Sequence, residues 1–413
     1  MADVTPGTAP DVVVALTSNH DARSIATVAR AMRDGVERAF KSRPVRYVLA
    51  EAGSGEGTRE AMRDIVGADA FVEAPYDRGP QLGELPYHGE QGRAAALRAV
   101  MSTAHSLGAK ACVVLDAGLQ GVRPEWIEQL VAPILASDFD YVSPYYDRQV
   151  HEGAISKAIV FPMARALYGV RLRQPAGTEF ACSARLIDYY LKQTFWDAEQ
   201  ASVGIDLWLA LGAVAGEYKT CEAMLGARGG SSRVAPSDAE TTIKQVVGAL
   251  FVDVEHNVDA WQRPRRTHAV PVFGDMTAGE PGSPVNVDGL LESFRLGNRE
   301  LRDVWTWALP PKTIVELRKM SDAPPDTFRF DDRLWAGIVY DFALGHFLRV
   351  LPREHLLRSL TPLYAGWLAA FVLQMGPAGP AEVETRIEQL CVAFESEKRH
   401  LISRWRWPER LRR

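Results

Sequence analysis

The sequence predicts an α/β protein: a doubly wound, mostly parallel sheet followed by an all-helical C-terminal region. Three observations carry this expectation. Apolar, β-branched runs alternate with helical periodicity as far as Met224, the pattern of a parallel sheet with crossover helices. The run Ala111-Cys-Val-Val-Leu-Asp116 ends abruptly in a carboxylate followed by small residues. A buried parallel strand ends this way where it opens into a ligand crevice. From Thr241 onward strand signals nearly vanish and long amphipathic patterns take over.

Residues 1–10 are small, polar and Pro-rich, and read as a flexible arm. Val12 to Leu16 reads as the first strand, ended by Thr17-Ser18-Asn19, with a helical pattern from Ala22 to Phe40. Val45 to Ala50 is the second strand, closed by Glu51-Ala-Gly-Ser; a helix starts at Arg59 and a short strand covers Ala70 to Glu73. The Gly- and Pro-rich loop from Pro75 to Gly92 contains His88, and its length suggests a functional segment. A helix from Arg93 to Leu107 leads into the strand at Ala111. Crossover handedness then brings Thr17 and Asn19, Glu51 to Ser54, and Asp116 to one sheet edge. Further on, helices are expected at Pro124 to Ser137 and Ser156 to Tyr168, and around Asp206, with strands at Asp140 to Ser143 and Tyr218 to Met224. The stretch from Arg173 to Phe180 is rich in turn residues, and Leu225 to Arg233 is small, basic and lid-like. In the last part, helical patterns run over 241–262, 289–302, 333–350, 354–374 and 381–405. Trp335, Trp367, Trp405 and Trp407 recur there at helical spacing in apolar company, which is expected of core packing.

A chain of 413 residues exceeds the size at which one core keeps growing, roughly 250–300 residues. Two domains are therefore expected: 11–262 around the sheet and 285–413 helical, joined by a Pro/Gly-rich linker at 263–284. A net charge of −5 argues against nucleic acid as a partner. The four cysteines, Cys112, Cys182, Cys221 and Cys391, sit in apolar contexts without C-x-x-C spacing. They read as buried free thiols of a reducing compartment. With no signal peptide pattern and no apolar run of bilayer-spanning length, a cytoplasmic protein without a membrane span is expected. The apolar C-terminal helices offer a face for a homodimer.

Asp116 is the first candidate for chemistry, since it ends a buried strand where loops converge; its other reading is a cap for the next helix. Asp206, near the start of an apolar helix, reads either as a helix N-terminal charge or as a hydrogen-bond acceptor for a substrate hydroxyl. Thr178 and Glu179 form a polar turn entering a core segment. Arg148, Arg173, Arg228 and Arg233 are candidates for phosphate or carboxylate binding. No G-x-S-x-G elbow, H-E-x-x-H pair or Walker loop is present, which disfavours serine hydrolases, zincins and P-loop enzymes. A sugar nucleotidyltransferase is the weakest alternative. It needs a Gly-rich basic loop after the first strand, where this chain has Thr17-Ser18-Asn19-His20-Asp21.

The order of features resembles retaining glycosyltransferases of the GT-A fold, in the group of mannosylglycerate, glucosylglycerate and glucosyl-3-phosphoglycerate synthases. The matching pieces are Val114-Leu-Asp116-Ala117 with Pro124-Glu-Trp126, Ala166-Leu-Tyr168-Gly169, Arg173-Gln-Pro175 and Gly204-Ile-Asp206. In the helical half they are Ile338-Val-Tyr340-Asp341-Phe342 and Leu360-Thr-Pro362-Leu-Tyr364. The resemblance implies transfer of a hexose from a nucleoside-diphosphate sugar to a small, glycerate-like acceptor. Thr17, Asn19 and Glu51 would line the nucleoside pocket. Asp116 and Ala117 would face the diphosphate, beside Gly92 and Arg93. Asp206 and Glu179 would serve catalysis, Glu179 with Thr178 bordering the sugar. Arg148, Arg228 and Arg233 would meet the acceptor or phosphate. The chain departs from the family pattern at three places. Asp-x-Asp becomes Asp116-Ala117-Gly118, Gly-Lys-Gly becomes Glu90-Gln91-Gly92, and the lid histidine is replaced within Arg228-Gly-Gly230-Ser. Bound Mg or Mn, with Asp116 as its one ligand, is therefore expected to be weak or absent. Either arginines neutralise the diphosphate, or the protein is a catalytically impaired binding or assembly relative.

Overall fold

The structure is a computed structural model that describes residues 9–18, 24–52, 57–77, 92–147, 153–197, 201–227, 239–263, 266–274, 285–376 and 378–406. Contacts divide the chain into two compact units that interleave along the sequence. The first comprises Met1–Asp147, Ala176–Ala235 and Val270–Ala278; the second comprises Arg148–Pro175, Pro236–Ala269 and Gly279–Arg413.

The first unit opens with β1 (Val12–Thr17), α1 (Ile25–Ala39), β2 (Val45–Glu51), α2 (Thr58–Val66), β3 (Phe71–Pro75), α3 (Arg93–Ser106), β4 (Ala111–Asp116), α4 (Glu125–Ser137) and β5 (Tyr141–Asp147). After α5 (Phe161–Tyr168) and β6 (Val170–Arg171) of the second unit, the chain returns with β7 (Phe180–Ser183), α6 (Ala184–Leu191), α7 (Ala201–Ala215) and β8 (Thr220–Ala227). A second excursion carries α8 (Ala239–Thr242), α9 (Gly248–His256), α10 (Val258–Trp261) and β9 (His268–Ala269), before β10 (Val272–Phe273) rejoins the sheet.

The eight strands of the sheet run in the order β10-β8-β5-β7-β4-β1-β2-β3. All neighbours are parallel except β7, which is antiparallel to both β4 and β5. This is the doubly wound, mostly parallel sheet expected from the sequence. Every residue of β1 and β4 is buried, as strands covered on both faces must be. Val12, Val14 and Leu16 join Val113 and Leu115 in a core closed by Val28 and Met32 of α1 and Trp126, Ile127 and Leu130 of α4. Each such side chain contributes about 1.5–3 kcal/mol by leaving water. Gly35 lets α1 and α4 approach closely, since a Cβ there would stand 2.3 Å from the Pro124 carbonyl oxygen.

The second unit continues with α11 (Val287–Glu300), α12 (Arg302–Trp305), α13 (Pro311–Ser321), α14 (Asp332–Leu348), α15 (Arg353–Met375) and α16 (Pro380–Arg406). Its core is aromatic, as the tryptophan spacing predicts. Trp335 stacks on Trp367 at 6.0 Å and donates its indole N–H to the Ala158 carbonyl at 2.9 Å. Trp405 packs edge-on to Trp261, while Trp407 lies outside the described residues. Among the described residues α15 alone is long and apolar enough to cross a membrane by length and composition, and 67% of its apolar window is buried within the protein. The long apolar run is thus a core helix of this unit, packed chiefly on α11.

Several elements differ from the sequence reading. By contacts, 153–175 and 239–262 group with the C-terminal helices. The stretch 263–284, read as a linker, holds β9 and β10. The reason is length, because two-residue strands fall below any periodic signal. β7 was hidden for the same reason, inside a segment dominated by turn residues. α13 was not anticipated either.

Candidate functional site

The strand register assembles one edge of the first unit. In the β1–β4 pair Thr17 stands opposite Asp116, and in the β1–β2 pair it stands opposite Ala50, one residue before Glu51. The C-terminal ends of three parallel strands therefore lie side by side, the place where doubly wound sheets bind ligands. Thr17, Glu51 and Asp116 are all buried there. Ala117 is buried too, and its N–H donates to the Thr17 carbonyl at 3.0 Å.

Asp116 does not cap the following helix. Its Oδ1 accepts the Gly118 N–H at 2.6 Å, and its carbonyl accepts the Leu119 N–H at 3.2 Å, so it closes its own turn well before α4 begins at Glu125. This is the local side-chain-to-backbone bond that Asp forms readily in turns.

The centre of the site is Arg93, the first residue of α3. Gly92 precedes it at the N-cap with φ +84°, a left-handed conformation that glycine adopts without strain. Arg93 is 2% exposed. Its Nε and Nη2 donate to the two carboxylate oxygens of Asp206 at 2.7 and 2.8 Å. Nη2 also donates to the Thr178 carbonyl at 2.9 Å, and Nη1 to the Thr17 hydroxyl at 3.0 Å. Asp116 Oδ2 lies 3.9 Å from Nη1. The fork-to-fork pairing with Asp206 is the strongest geometry an arginine and a carboxylate can take.

Asp206 is the sixth residue of α7 rather than its N-terminal charge. Both of its oxygens are engaged by Arg93. Glu179 is wholly buried; it accepts from the Tyr146 hydroxyl at 2.7 Å and from the Thr178 hydroxyl. Tyr141, opposite Cys182 in the β5–β7 pair, is also wholly buried, and its hydroxyl has no hydrogen-bond partner. Burial chiefly, then the charge of Asp206 and the thiol of Cys182, holds its phenol well above the usual range; Arg93 opposes the shift and Glu179 adds to it.

Structure thus joins Thr17, Gly92, Arg93, Asp116, Thr178, Glu179 and Asp206 into one polar cluster, with Glu51 at the same edge. Asn19, Arg148, Arg228 and Arg233 lie outside the described residues, as do His88, Gln91 and Gly230. Arg173 is not part of this cluster and pairs with Glu384 at 3.1 Å within the second unit. Tyr141, Tyr146 and the buried Ser18 hydroxyl were not singled out from the sequence. A period-two reading of β5 could have flagged its tyrosines, but the register shifts between Tyr145 and Tyr146, which breaks the alternation.

A divalent cation is implied by the family resemblance, and the described residues do not fit one. Among them no three acidic, histidine or cysteine side chains gather as a metal group. Asp116, the carboxylate that ends β4, already serves a turn and faces a guanidinium at 3.9 Å. A cation placed there would meet the like charge of the Arg93 guanidinium.

No family profile and no curated protein sequence matches this chain. Among solved structures, the chain is similar to glucosyl-3-phosphoglycerate synthase from Mycobacterium tuberculosis in complex with Mn2+, UDP and glucosyl-3-phosphoglycerate. Identity is 18% over 62% of this chain and 81% of that chain, with a TM-score of 0.42. The complex with Mn2+, UDP-glucose and glycerol 3-phosphate gives 18%, 62%, 81% and 0.40. The complex with phosphoglyceric acid gives 18%, 64%, 88% and 0.40.

Proposed function

We propose that this chain is a GT-A glycosyltransferase that moves a hexose from a nucleoside-diphosphate sugar to a small polar acceptor, with retention and with little or no dependence on Mg or Mn. The observation that supports it best is the convergence of Thr17, Glu51 and Asp116 at the ends of three adjacent parallel strands, together with the motifs that resemble the glycerate-hexose synthases. In this reading Thr17, Asn19, Glu51 and Ala117 border the nucleotide. Gly92 presents the α3 N-terminus to the diphosphate, and the buried Arg93 charge offsets it at short range. Asp206 and Glu179 accept hydrogen bonds from acceptor and sugar hydroxyls. Arg148, Arg228 and Arg233 supply further positive charge from the loops. The buried free thiols accord with a cytoplasmic setting.

Calorimetric titration with UDP- and GDP-hexoses, with and without Mn2+, tests the reading. Binding that persists in chelator and weakens in Asp116→Ala is expected. Strong Mn2+-dependent binding that survives Asp116→Ala would contradict it.

A second reading has its own observation. The bidentate Arg93–Asp206 pair commits the carboxylate that would orient an acceptor, which favours a protein that binds a nucleotide sugar without turning it over. Turnover of any nucleotide sugar, abolished by Asp206→Asn, excludes that alternative.

A further inference from the structure

Four oxygens from three separate segments point at one buried positive group: Asp206 Oδ1 and Oδ2 from α7, the Thr178 carbonyl from the turn before β7, and the Thr17 hydroxyl from the end of β1. A fifth, Asp116 Oδ2 at the end of β4, stands 3.9 Å away. Two carboxylates, a hydroxyl and a main-chain carbonyl form the donor set that hard cations take. The charges say the same. With Arg93 removed, the buried carboxylates of Asp206 and Asp116 would lose the guanidinium that faces both, and buried like charges favour a compensating cation.

A second observation points to the same place. The Tyr141 hydroxyl is wholly buried without a partner, within range of the charges of Asp206, Arg93 and Glu179. Next to Thr17, the Ser18 hydroxyl is likewise buried and unpartnered. Buried hydroxyls are satisfied in the great majority of cases. The Tyr141 orphan marks a polar position that a side chain fills less completely than a hydrated ion would.

We propose that Asp206, Asp116, the Thr17 hydroxyl and the Thr178 carbonyl form a cation site that the chain fills with its own Arg93 guanidinium, closing it to a divalent ion. The site belongs to the fold of the first unit and exists whether or not hexose is transferred. Deleting the guanidinium should convert a closed site into one that takes Mn2+ or a small guanidinium from solution.

The test is thermal unfolding of Arg93→Ala, alone and with Mn2+ or methylguanidinium, each against NaCl of equal ionic strength. The variant is expected to melt lower than wild type and to recover a few degrees, saturably, with either cation, since a ligand that binds only the folded state raises its melting temperature. Wild type should show no saturable shift, and Asp206→Asn placed on Arg93→Ala should remove the rescue. Should Arg93→Ala fail to fold, Arg93→Gln, which keeps an N–H donor for Asp206 without the charge, carries the same arms. Absence of rescue in the folded variant overturns the proposal. So does saturable Mn2+ stabilisation of wild type that Asp116→Ala abolishes. Because melting is the readout, a chain that turns over no sugar still decides the question, and failure of the transferase reading leaves it standing.

Discussion

Each unit buries a helical aspartate beside a tyrosine, and the two solve the same problem differently. In the first unit Asp206 of α7 is held bidentately by Arg93, and the neighbouring Tyr141 hydroxyl makes no hydrogen bond. In the second unit Asp253 of α9 has no such cation. It accepts from the Tyr168 hydroxyl and from the Asn257 side-chain amide at 2.9 Å. Burial pushes the Asp253 carboxyl up to about 7 despite those two hydrogen bonds. A guanidinium therefore does at Asp206 what neutral donors cannot do at Asp253: it supplies a full opposite charge to a buried carboxylate.

The largest expected effect follows from removing that charge. Arg93→Ala should lower the stability of the first unit by about 3–5 kcal/mol, the usual consequence of leaving a buried ion without its partner, as read from urea denaturation at pH 7. A loss below about 1 kcal/mol would mean that water reaches Asp206 and the enclosure is not dry.

Next comes pH dependence in the second unit. The folded Asp253 binds its proton more tightly than the unfolded chain, whose carboxyl titrates at the ordinary 3.8. Its contribution to stability is thus complete below that value and is lost as pH rises towards about 7. On the order of 3 kcal/mol should disappear between pH 5 and 8, falling at roughly 1.4 kcal/mol per unit until about pH 7. Denaturation of wild type and Asp253→Asn at both pH values checks this: the variant should show the flatter profile.

Smaller effects separate the two tyrosines. Tyr168→Phe removes a donor to a buried carboxylate and should cost about 1–2 kcal/mol at pH 7. Tyr141→Phe removes a hydroxyl that has no partner and should be neutral or stabilising by up to about 1 kcal/mol. If Tyr141→Phe proved as costly as Tyr168→Phe, the Tyr141 hydroxyl would have a partner, and the contrast between the two sites would fail.

Much of the frame was legible because it is repetitive. β1 and β4 are runs of apolar residues that could only be buried strands, and their ends named Thr17 and Asp116 before any coordinates. Asp116 also advertised itself as a charge closing a wholly apolar run. The pairing of Arg93 with Asp206 was not legible, since 113 positions separate them. Nothing local distinguishes an arginine that opens a helix to bind a ligand from one that turns inward to a carboxylate. β7 escaped because four residues beside a turn carry no period, yet it is the antiparallel strand that brings Thr178 and Glu179 to the site. The interleaving of the units escaped for a similar reason. Residues 153–175 have the helical periodicity of either unit, and only their packing assigns them to the second.

The central claim is that the cation position of the first unit is filled by Arg93. It is tested most directly by counting bound Mn2+ with electron paramagnetic resonance as wild type and Arg93→Gln are titrated in parallel. Wild type should show no saturable site, and Arg93→Gln one that disappears when Asp206→Asn is added. One saturable site in wild type, lost in Asp116→Ala, would contradict it.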